Sequence, residues 1–165
     1  MGDEGEKASI LRIGITQVKL GEYVERDDLL RRSALFKQIS DTERQVLLRQ
    51  SRARAFKPGE IVLQEALPAK DLYFVLDGAI RLSIQAGITE LATLTKGDVF
   101  GLSAVESSAI RPQATAEGDA RVALLPAEQV QVLMQTTPRL GGYLCELASE
   151  RRKLAEDGAS FFDRW

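Results

Sequence analysis

Between Lys57 and Pro126 the sequence consists of short β-rich runs separated by turns, and this feature restricts the possible folds more than any other. The runs are EIVLQ, DLYFVL, AIRLSIQ, TELATL, ATA and ARVALL. Glycine-containing turns lie at residues 77–78, 86–87, 96–98 and 117–119. In AIRLSIQ the apolar residues Ile80, Leu82 and Ile84 alternate with polar ones, which is typical of a strand with one buried face. Strands this short and this regularly spaced predict a sandwich or a barrel.

The residues before this region predict an extended arm followed by helices. The segment ILRIGITQVKL, residues 10–20, alternates loosely, so we expect it to be extended. The segment ERDDLLRRSALFKQI, which starts near Glu25, has its apolar residues at helical spacing. A capping box follows, because Ser40 precedes Glu43 by three residues. The helix that begins there is expected to bury Val46 and Leu47.

After Pro126 the helical period returns. The segment AEQVQVLMQ predicts a short helix that ends near Thr136, and Pro138 suits the first turn of a longer helix that runs to about Asp157. The leucines of this longer helix fall on one stripe, formed by Leu140, Leu144, Leu147 and Leu154. Arg151 interrupts the stripe, and the basic run RRK that it begins is interpreted as a solvated helix face.

The order of elements predicts an α+β protein, in which an antiparallel β-roll of the jelly-roll type is flanked by N-terminal helices and a long C-terminal helix. We divide the chain into an N-terminal arm (residues 1–24), one domain (residues 25–157) and an aromatic C-terminal tail (residues 158–165). The tail is too short for a DNA-binding helix-turn-helix, so we expect no DNA binding by this chain alone.

The composition excludes several classes of function. The chain has 165 residues, a net charge of −2 and no histidine. Ser-His-Asp and Cys-His catalysis and His-based metal sites are therefore impossible. An enzyme on a similar roll, such as a metal-dependent cupin, is disfavoured, and we expect no cofactor.

The small net charge does not favour binding to nucleic acid or an anionic membrane. Cys145, the only cysteine, cannot form an internal disulfide, which is consistent with a cytoplasmic location.

Several motifs, in order, resemble those of the cyclic nucleotide-binding domain family. The segment LLRRSALFKQISDTERQVLLRQSRARAFKPGEIVLQE looks like the family's leading helices and first strand, and DLYFVLDGAIRL is similar to its most recognisable strand pair. The approach to the family's phosphate-binding cassette is matched by LTKGDVFGLSAV, and the strands after it by ATAEGDARVALLP. The resemblance spans about Leu29 to Leu154. It implies a non-catalytic regulatory domain whose ligand is a cyclic nucleotide.

The first half of the cassette, GDVFGLSAV, has a glycine before a short helix. Free backbone N–H groups from Gly101 to Ser103 suit a phosphate. In the family the residue after this glycine is usually a glutamate that accepts a hydrogen bond from the ribose 2′-hydroxyl, but here it is Leu102. The hydroxyls of Ser103, Ser107 and Ser108 are further candidate donors, with helix capping as the alternative role.

The second half of the cassette, IRPQATA, also departs from the family. With Ala114 kept in register, Pro112 stands where the family has its phosphate-binding arginine, and Gln113 stands at its hydroxyl position. Arg111 comes one residue early, and strand alternation predicts that its side chain points away from the site. Ala66 occupies a position where the family usually has glycine. The nearby aromatic side chains are expected to belong to the core, namely Tyr73, Phe74 and Phe100.

Loss of both charged contacts, those of the family's glutamate and arginine, would cost about 3–6 kcal/mol, at about 1.5–3 kcal/mol each, which is a factor of roughly 10²–10⁴ in affinity.

Two hypotheses about the function follow. The chain is a sensor that binds ordinary cAMP or cGMP weakly or not at all, with a cyclic dinucleotide as an open alternative, or it is a ligand-free interaction or dimerisation module. In the bacterial regulators that the chain resembles, the long helix pairs two subunits, so the resemblance and the leucine stripe together predict a homodimer. The alternative is that the stripe packs on its own roll.

Overall fold

The computed structural model describes Val18–Lys19 and residues 31–163, with the side chains of residues 31–158. Its strands are β1 (Val18–Lys19), β2 (Arg52–Phe56), β3 (Ile61–Leu63), β4 (Asp71–Asp77), β5 (Ile80–Ile84), β6 (Thr89–Leu94), β7 (Val99–Phe100), β8 (Gln113–Ala116) and β9 (Ala120–Pro126). Its helices are α1 (Asp41–Arg49), α2 (Ala127–Thr136) and α3 (Pro138–Asp163), with 3-10 turns η1 (Phe36–Gln38) and η2 (Leu102–Ala104). The α+β class is confirmed. Most of the predicted arm, and of the helix predicted from Glu25, lies outside the described residues.

Two antiparallel sheets form the predicted β-roll. The first has the strand order β1-β2-β9-β4-β7 and the second the order β3-β8-β5-β6. Strands that are distant in sequence therefore lie side by side. In particular β8, which follows the cassette, pairs with both β3 and β5, and Ala114 lies opposite Leu63 on one side and Leu82 on the other. This pairing fixes the end of the cassette against the second sheet.

Strand β4 is buried on both faces, as its uninterrupted apolar run DLYFVL indicates. Leu72, Phe74 and Leu76 face a cluster formed with residues of α1, α2 and α3. Tyr73 and Val75 face the other way, into the cluster between the two sheets. One strand therefore connects the core beneath the helices with the core of the roll.

Helix α1 begins as the capping box predicts. The Ser40 hydroxyl accepts a hydrogen bond from the Glu43 backbone N–H at 3.1 Å, and the Ser40 N–H donates to the Glu43 carboxylate at 2.9 Å. Leu47 is buried as expected, but Val46 is exposed and Leu48 is buried instead. The prediction was wrong by one position because the capping box defines where a helix begins and not which of its faces meets the core.

Helix α3 begins at Pro138, as predicted, but it continues to Asp163 rather than ending near Asp157. Leu140 and Leu144 are buried within the chain's own core, whereas Leu154 is exposed. The first two residues of the stripe are therefore not available to a second subunit, which corrects the prediction that they form a dimer seam.

The far part of α3 packs closely on the second sheet. A Cβ added to Gly158 would lie only 2.8 Å from Cγ2 of Thr89 on β6. Thr89 is itself buried, and its hydroxyl donates to the Gln85 side-chain oxygen at 2.8 Å. The helix thus approaches β6 more closely than any side chain at position 158 would allow.

Two further expectations need correction within the β-region. The change from helix to strand occurs at Arg52, the start of β2, and not at Lys57. Ser83 was expected on the polar face of β5, but it is fully buried next to a bulge between Leu82 and Ser83 in the pairing with β6. A bulge displaces the two-residue alternation on which the prediction relied.

Candidate functional site

The cassette begins with a tight turn that only glycine can make. Gly101 has φ 73 and ψ 33, which is the left-handed region. A Cβ at this position would lie 2.8 Å from Cδ2 of Tyr73 and 2.9 Å from the carbonyl oxygen of Asp71. The turn therefore holds η2 close against β4, at the place where the sequence predicts a phosphate cradle.

Leu102 and Ser103 both have structural roles. Leu102 is 4% exposed and packs in the cluster beneath the helices. The Ser103 hydroxyl accepts a hydrogen bond from the Ala69 N–H at 3.0 Å, which ties η2 to the loop between β3 and β4. At position 102, where the family offers a carboxylate to the ribose, this chain offers a buried alkyl group.

Arg111 is exposed and lies beside the same loop. Its Nη1 donates to the carbonyl oxygen of Ala66 at 3.5 Å, while the Ala66 N–H donates to the Arg111 carbonyl oxygen at 2.9 Å. Ala66 has φ 71, so the backbone keeps the left-handed conformation that favours glycine although the residue has a Cβ. These contacts direct the Arg111 side chain towards the loop, although Arg111 precedes β8, so strand alternation does not apply to it.

The remaining cassette residues lead into β8. Pro112 is half-buried, and Gln113 contacts Thr115 through its side-chain amide at 3.5 Å. Ala114 is fully buried in the roll. Ser108, which was a candidate anion donor, is exposed and donates its hydroxyl to the Glu106 carboxylate at 2.9 Å.

A small, partly open space lies beside Gly101. Its volume is about 10 Å³, which is close to the minimum that holds one water molecule. Its walls come from β5, the cassette and α3, and they consist of Leu82, Phe100, Gly101, Leu102, Ala109, Ile110, Pro112, Ala148 and Arg151. Among these wall residues Arg151 is the one with a charged side chain. We call this space the cassette cavity.

Arg151 is a cavity residue that the sequence analysis missed. It is 8% exposed, so the interpretation of its basic run as a solvated helix face was wrong at this position. Its guanidinium forms no hydrogen bond or ion pair with any residue that the structure describes. Burial lowers its pKa, while Tyr143, Asp98 and Glu150 act in the opposite direction. The signal was its spacing, because Leu144, Ala148 and Arg151 share one helix face.

Aromatic side chains near the cavity are packed as predicted. The rings of Tyr73 and Phe100 are stacked with centroids 4.8 Å apart, and both residues are buried. Burial also raises the pKa of Tyr73, with Asp71 adding to the effect. Phe74 packs on Phe36 on the helical side. The rings therefore stabilise the wall behind the cassette, and Phe161 and Phe162 of the predicted tail have side chains outside the described ones.

None of the described helices combines the length and the apolar character that crossing a bilayer requires. In the same part of the chain no cluster of three or more potential metal-ligating side chains is found.

The fold is a β-roll of the cyclic nucleotide-binding type, and the family comparison agrees. The family model described as "Cyclic nucleotide-binding domain" matches residues 53–137, which is more than half of the chain. The chain belongs to this family, whose members are regulatory or sensor domains. Comparison with curated proteins gave no significant match.

Solved structures share the fold at low sequence identity. The chain is similar to cAMP-bound PfPKA-R, with 19% identity and a TM-score of 0.70, over 84% of this chain and 47% of that one. It therefore spans about half the length of that relative. The sensor domain of the transcriptional regulator DNR from Pseudomonas aeruginosa has 20% identity and a TM-score of 0.62, over 75% of this chain and 91% of that one.

A third relative is the regulatory subunit of a cAMP-independent protein kinase A from Trypanosoma brucei. It has 19% identity and a TM-score of 0.55, over 73% of this chain and 49% of that one. A variant of that protein with three substitutions, one of which replaces threonine by arginine, is bound to cAMP in its A site.

Proposed function

We propose that this chain is a sensor-type domain in which binding of ordinary cAMP and cGMP is weak or lost. The observation that carries the proposal is the state of the cassette, in which Leu102 is buried in the core and Pro112 lines the cavity where the family has an arginine. Arg111 does not replace the missing group, because it is directed to the Ala66 carbonyl. The backbone turn at Gly101 is retained without the two charged contacts.

The Trypanosoma brucei relatives support the importance of arginine in such a site. A regulatory subunit on the same fold is named as belonging to a cAMP-independent kinase, and a variant of it that gains an arginine is cAMP-bound. We infer that the identity of a few cassette residues, rather than the fold, determines whether this chain accepts cAMP.

Calorimetry with cAMP and with cGMP tests the proposal directly. We expect dissociation constants weaker than about 10 μM, which corresponds to a binding free energy of about −7 kcal/mol. A tighter constant for either nucleotide in the unmodified protein would contradict the proposal.

A variant with an arginine at position 112 tests whether the missing arginine is the cause of weak cAMP binding. The double variant Arg111→Pro with Pro112→Arg keeps composition and net charge but moves the guanidinium by one residue. We expect a gain in cAMP affinity of about 10–100-fold, because a hydrogen bond to a charged group contributes about 1.5–3 kcal/mol. The matched control Arg111→Gln should leave cAMP binding unchanged. No gain in a folded double variant would mean that position 112 does not face the ligand.

The homodimer predicted from the long helix stays a second proposal. Since Leu140 and Leu144 belong to the chain's own core, any pairing through α3 would use Leu154, which is exposed, and Leu147, which is half-buried.

A further inference from the structure

We propose that Arg151 binds the phosphate group of a small-molecule ligand in the cassette cavity, in place of the arginine that the cassette lacks. The inference deepens the proposed function and rests on it, because it assigns to α3 the contact that position 112 no longer supplies. Pro112 and Arg151 line the same cavity. A guanidinium is thus present at the site, although it comes from a different element of the fold.

The state of Arg151 without a ligand is the first argument. Buried cations are normally paired, since an unpaired charge loses its hydration without compensation. Arg151 is 8% exposed, the other side chains around the cavity are uncharged, and no described residue gives its guanidinium a hydrogen bond or ion pair, although none of its nitrogens is both fully buried and without a partner. Asp98 and Glu150 influence its guanidinium without forming an ion pair. An anion in the cavity would supply the missing partner.

The chemistry of the group is the second argument. A guanidinium presents a planar fork of N–H donors that matches two oxygens of a phosphate. The same cavity is lined by Gly101, the residue that makes the turn before η2. A phosphate-bearing ligand suits the guanidinium fork, with apolar walls from Leu82 and Ile110 for the rest of the molecule.

The size of the cavity implies that its walls move when a ligand enters. At about 10 Å³ the cavity holds no more than one water molecule, so a phosphate can enter only if α3 or the Arg151 side chain moves. The neighbouring Arg152 donates to the Ser108 carbonyl oxygen at 3.0 Å, so the cassette loop and α3 are also in direct contact. We therefore expect a ligand in the cavity to change the position of α3 as well as that of the Arg151 side chain.

Inorganic phosphate is the probe for the test, with sodium chloride at equal ionic strength as the reference. Melting temperature is measured for the full chain and for three variants: Arg151→Met, Arg151→Lys and Lys153→Met. Lys153 is exposed on the same helix, so its variant removes the same charge without touching the cavity. Phosphate also stabilises proteins by exclusion from their surface, so the result is the difference between variants and not the absolute shift.

We expect phosphate to raise the melting temperature of the unmodified protein and of Lys153→Met equally. The response of Arg151→Met should fall to the level of general salt stabilisation, and Arg151→Lys should respond more weakly than the unmodified protein, because an ammonium lacks the planar fork. In chloride, Arg151→Met should be at least as stable as the unmodified protein, since no described residue pairs with the largely buried cation that it removes. A structural role for Arg151 would instead lower its stability in chloride.

A fluorophore on Cys145, the only cysteine and exposed on α3, reports the movement of the helix. We expect its emission to change with phosphate in the unmodified protein and not in Arg151→Met. Equal phosphate responses in the unmodified protein and in Arg151→Met would overturn the proposal. If Arg151→Met does not fold, an undiminished response in Arg151→Lys has the same meaning. Tight cAMP binding would contradict the proposed function alone, which keeps the two failures distinct.

Discussion

Ala66 shows how this chain keeps a backbone shape after losing the residue that suits it. Its φ of 71 is in the left-handed region, and the turn is held by the hydrogen bond from its N–H to the Arg111 carbonyl. An L-residue in this conformation costs roughly 1–2 kcal/mol. The strain is therefore stored in the loop that contacts the cassette, next to the position of the missing arginine.

The variant Ala66→Gly should relieve this strain. We expect a net stabilisation of about 0.5–1 kcal/mol, because the greater flexibility of glycine in the unfolded chain offsets part of the gain. Urea denaturation of both proteins measures the difference. The control Ala92→Gly, on strand β6 where φ is not positive, should destabilise by about 0.5–1 kcal/mol. Destabilisation by both substitutions would show that residue 66 is not strained.

At the scale of elements, the start of α1 is tied to the start of α3 by one carboxylate. Glu43 accepts a hydrogen bond from the Ser40 N–H and another from the Thr137 hydroxyl at 3.0 Å. The pKa of Glu43 is lowered, chiefly by the backbone hydrogen bond from Ser40. The capping box therefore stabilises a junction between helices as well as one helix end.

This junction should depend on pH. Because the pKa of Glu43 is lowered on folding, its contribution to stability is present above the unfolded value of about 4.3 and is lost as the pH falls through the folded value. Urea denaturation of the unmodified protein and Glu43→Gln should differ at pH 7, and the difference should shrink towards pH 3. A difference that stays constant down to pH 3 would exclude an ionised Glu43 as its source.

Substitution of a buried leucine of α3 should destabilise the protein, whereas substitution of an exposed one should not. Leu144 is 0% exposed and Leu154 is 45% exposed. We expect Leu144→Glu to destabilise by about 3 kcal/mol or more, since it buries a carboxylate without a partner, whereas Leu154→Glu should change stability by less than about 0.5 kcal/mol. Sedimentation of the unmodified protein and Leu154→Glu tests the dimer proposal separately. A monomer at high concentration before any substitution would exclude that dimer.

The elements were predictable where one physical signal dominates. Most strands followed from β-rich runs and glycine turns, although β2 and β7 were not among the predicted runs, and the starts of α1 and α3 followed from Ser40, Glu43 and Pro138. Which side chains of an element are buried was more difficult to predict, because burial depends on which other element packs against them. Arg151 is the clearest case, since an arginine on a helix is usually solvated and only its spacing from Leu144 placed it on the buried face. The cavity residues around it come from three distant segments and share no local pattern.

At the scale of the whole molecule, strand β4 connects the core beneath the helices with the core of the roll. Strand β4 contributes Phe74 to the core beneath the helices and Val75 to the core of the roll. Leu102 joins the cassette to the first of these cores. A change of packing in the cassette cavity therefore has a direct route to the helices, through close-packed side chains that transmit strain.

The contact between Gly158 and Thr89 has a consequence for the height of α3 above the second sheet. Because a Cβ at 158 would come within 2.8 Å of Cγ2 of the buried Thr89, a larger residue requires either the Thr89 side chain or the helix to shift. Substitutions at position 158 would therefore change the packing of α3 on β6 at a residue that does not line the cassette cavity. The distance between α3 and the second sheet thus depends on the absence of a side chain at this one residue.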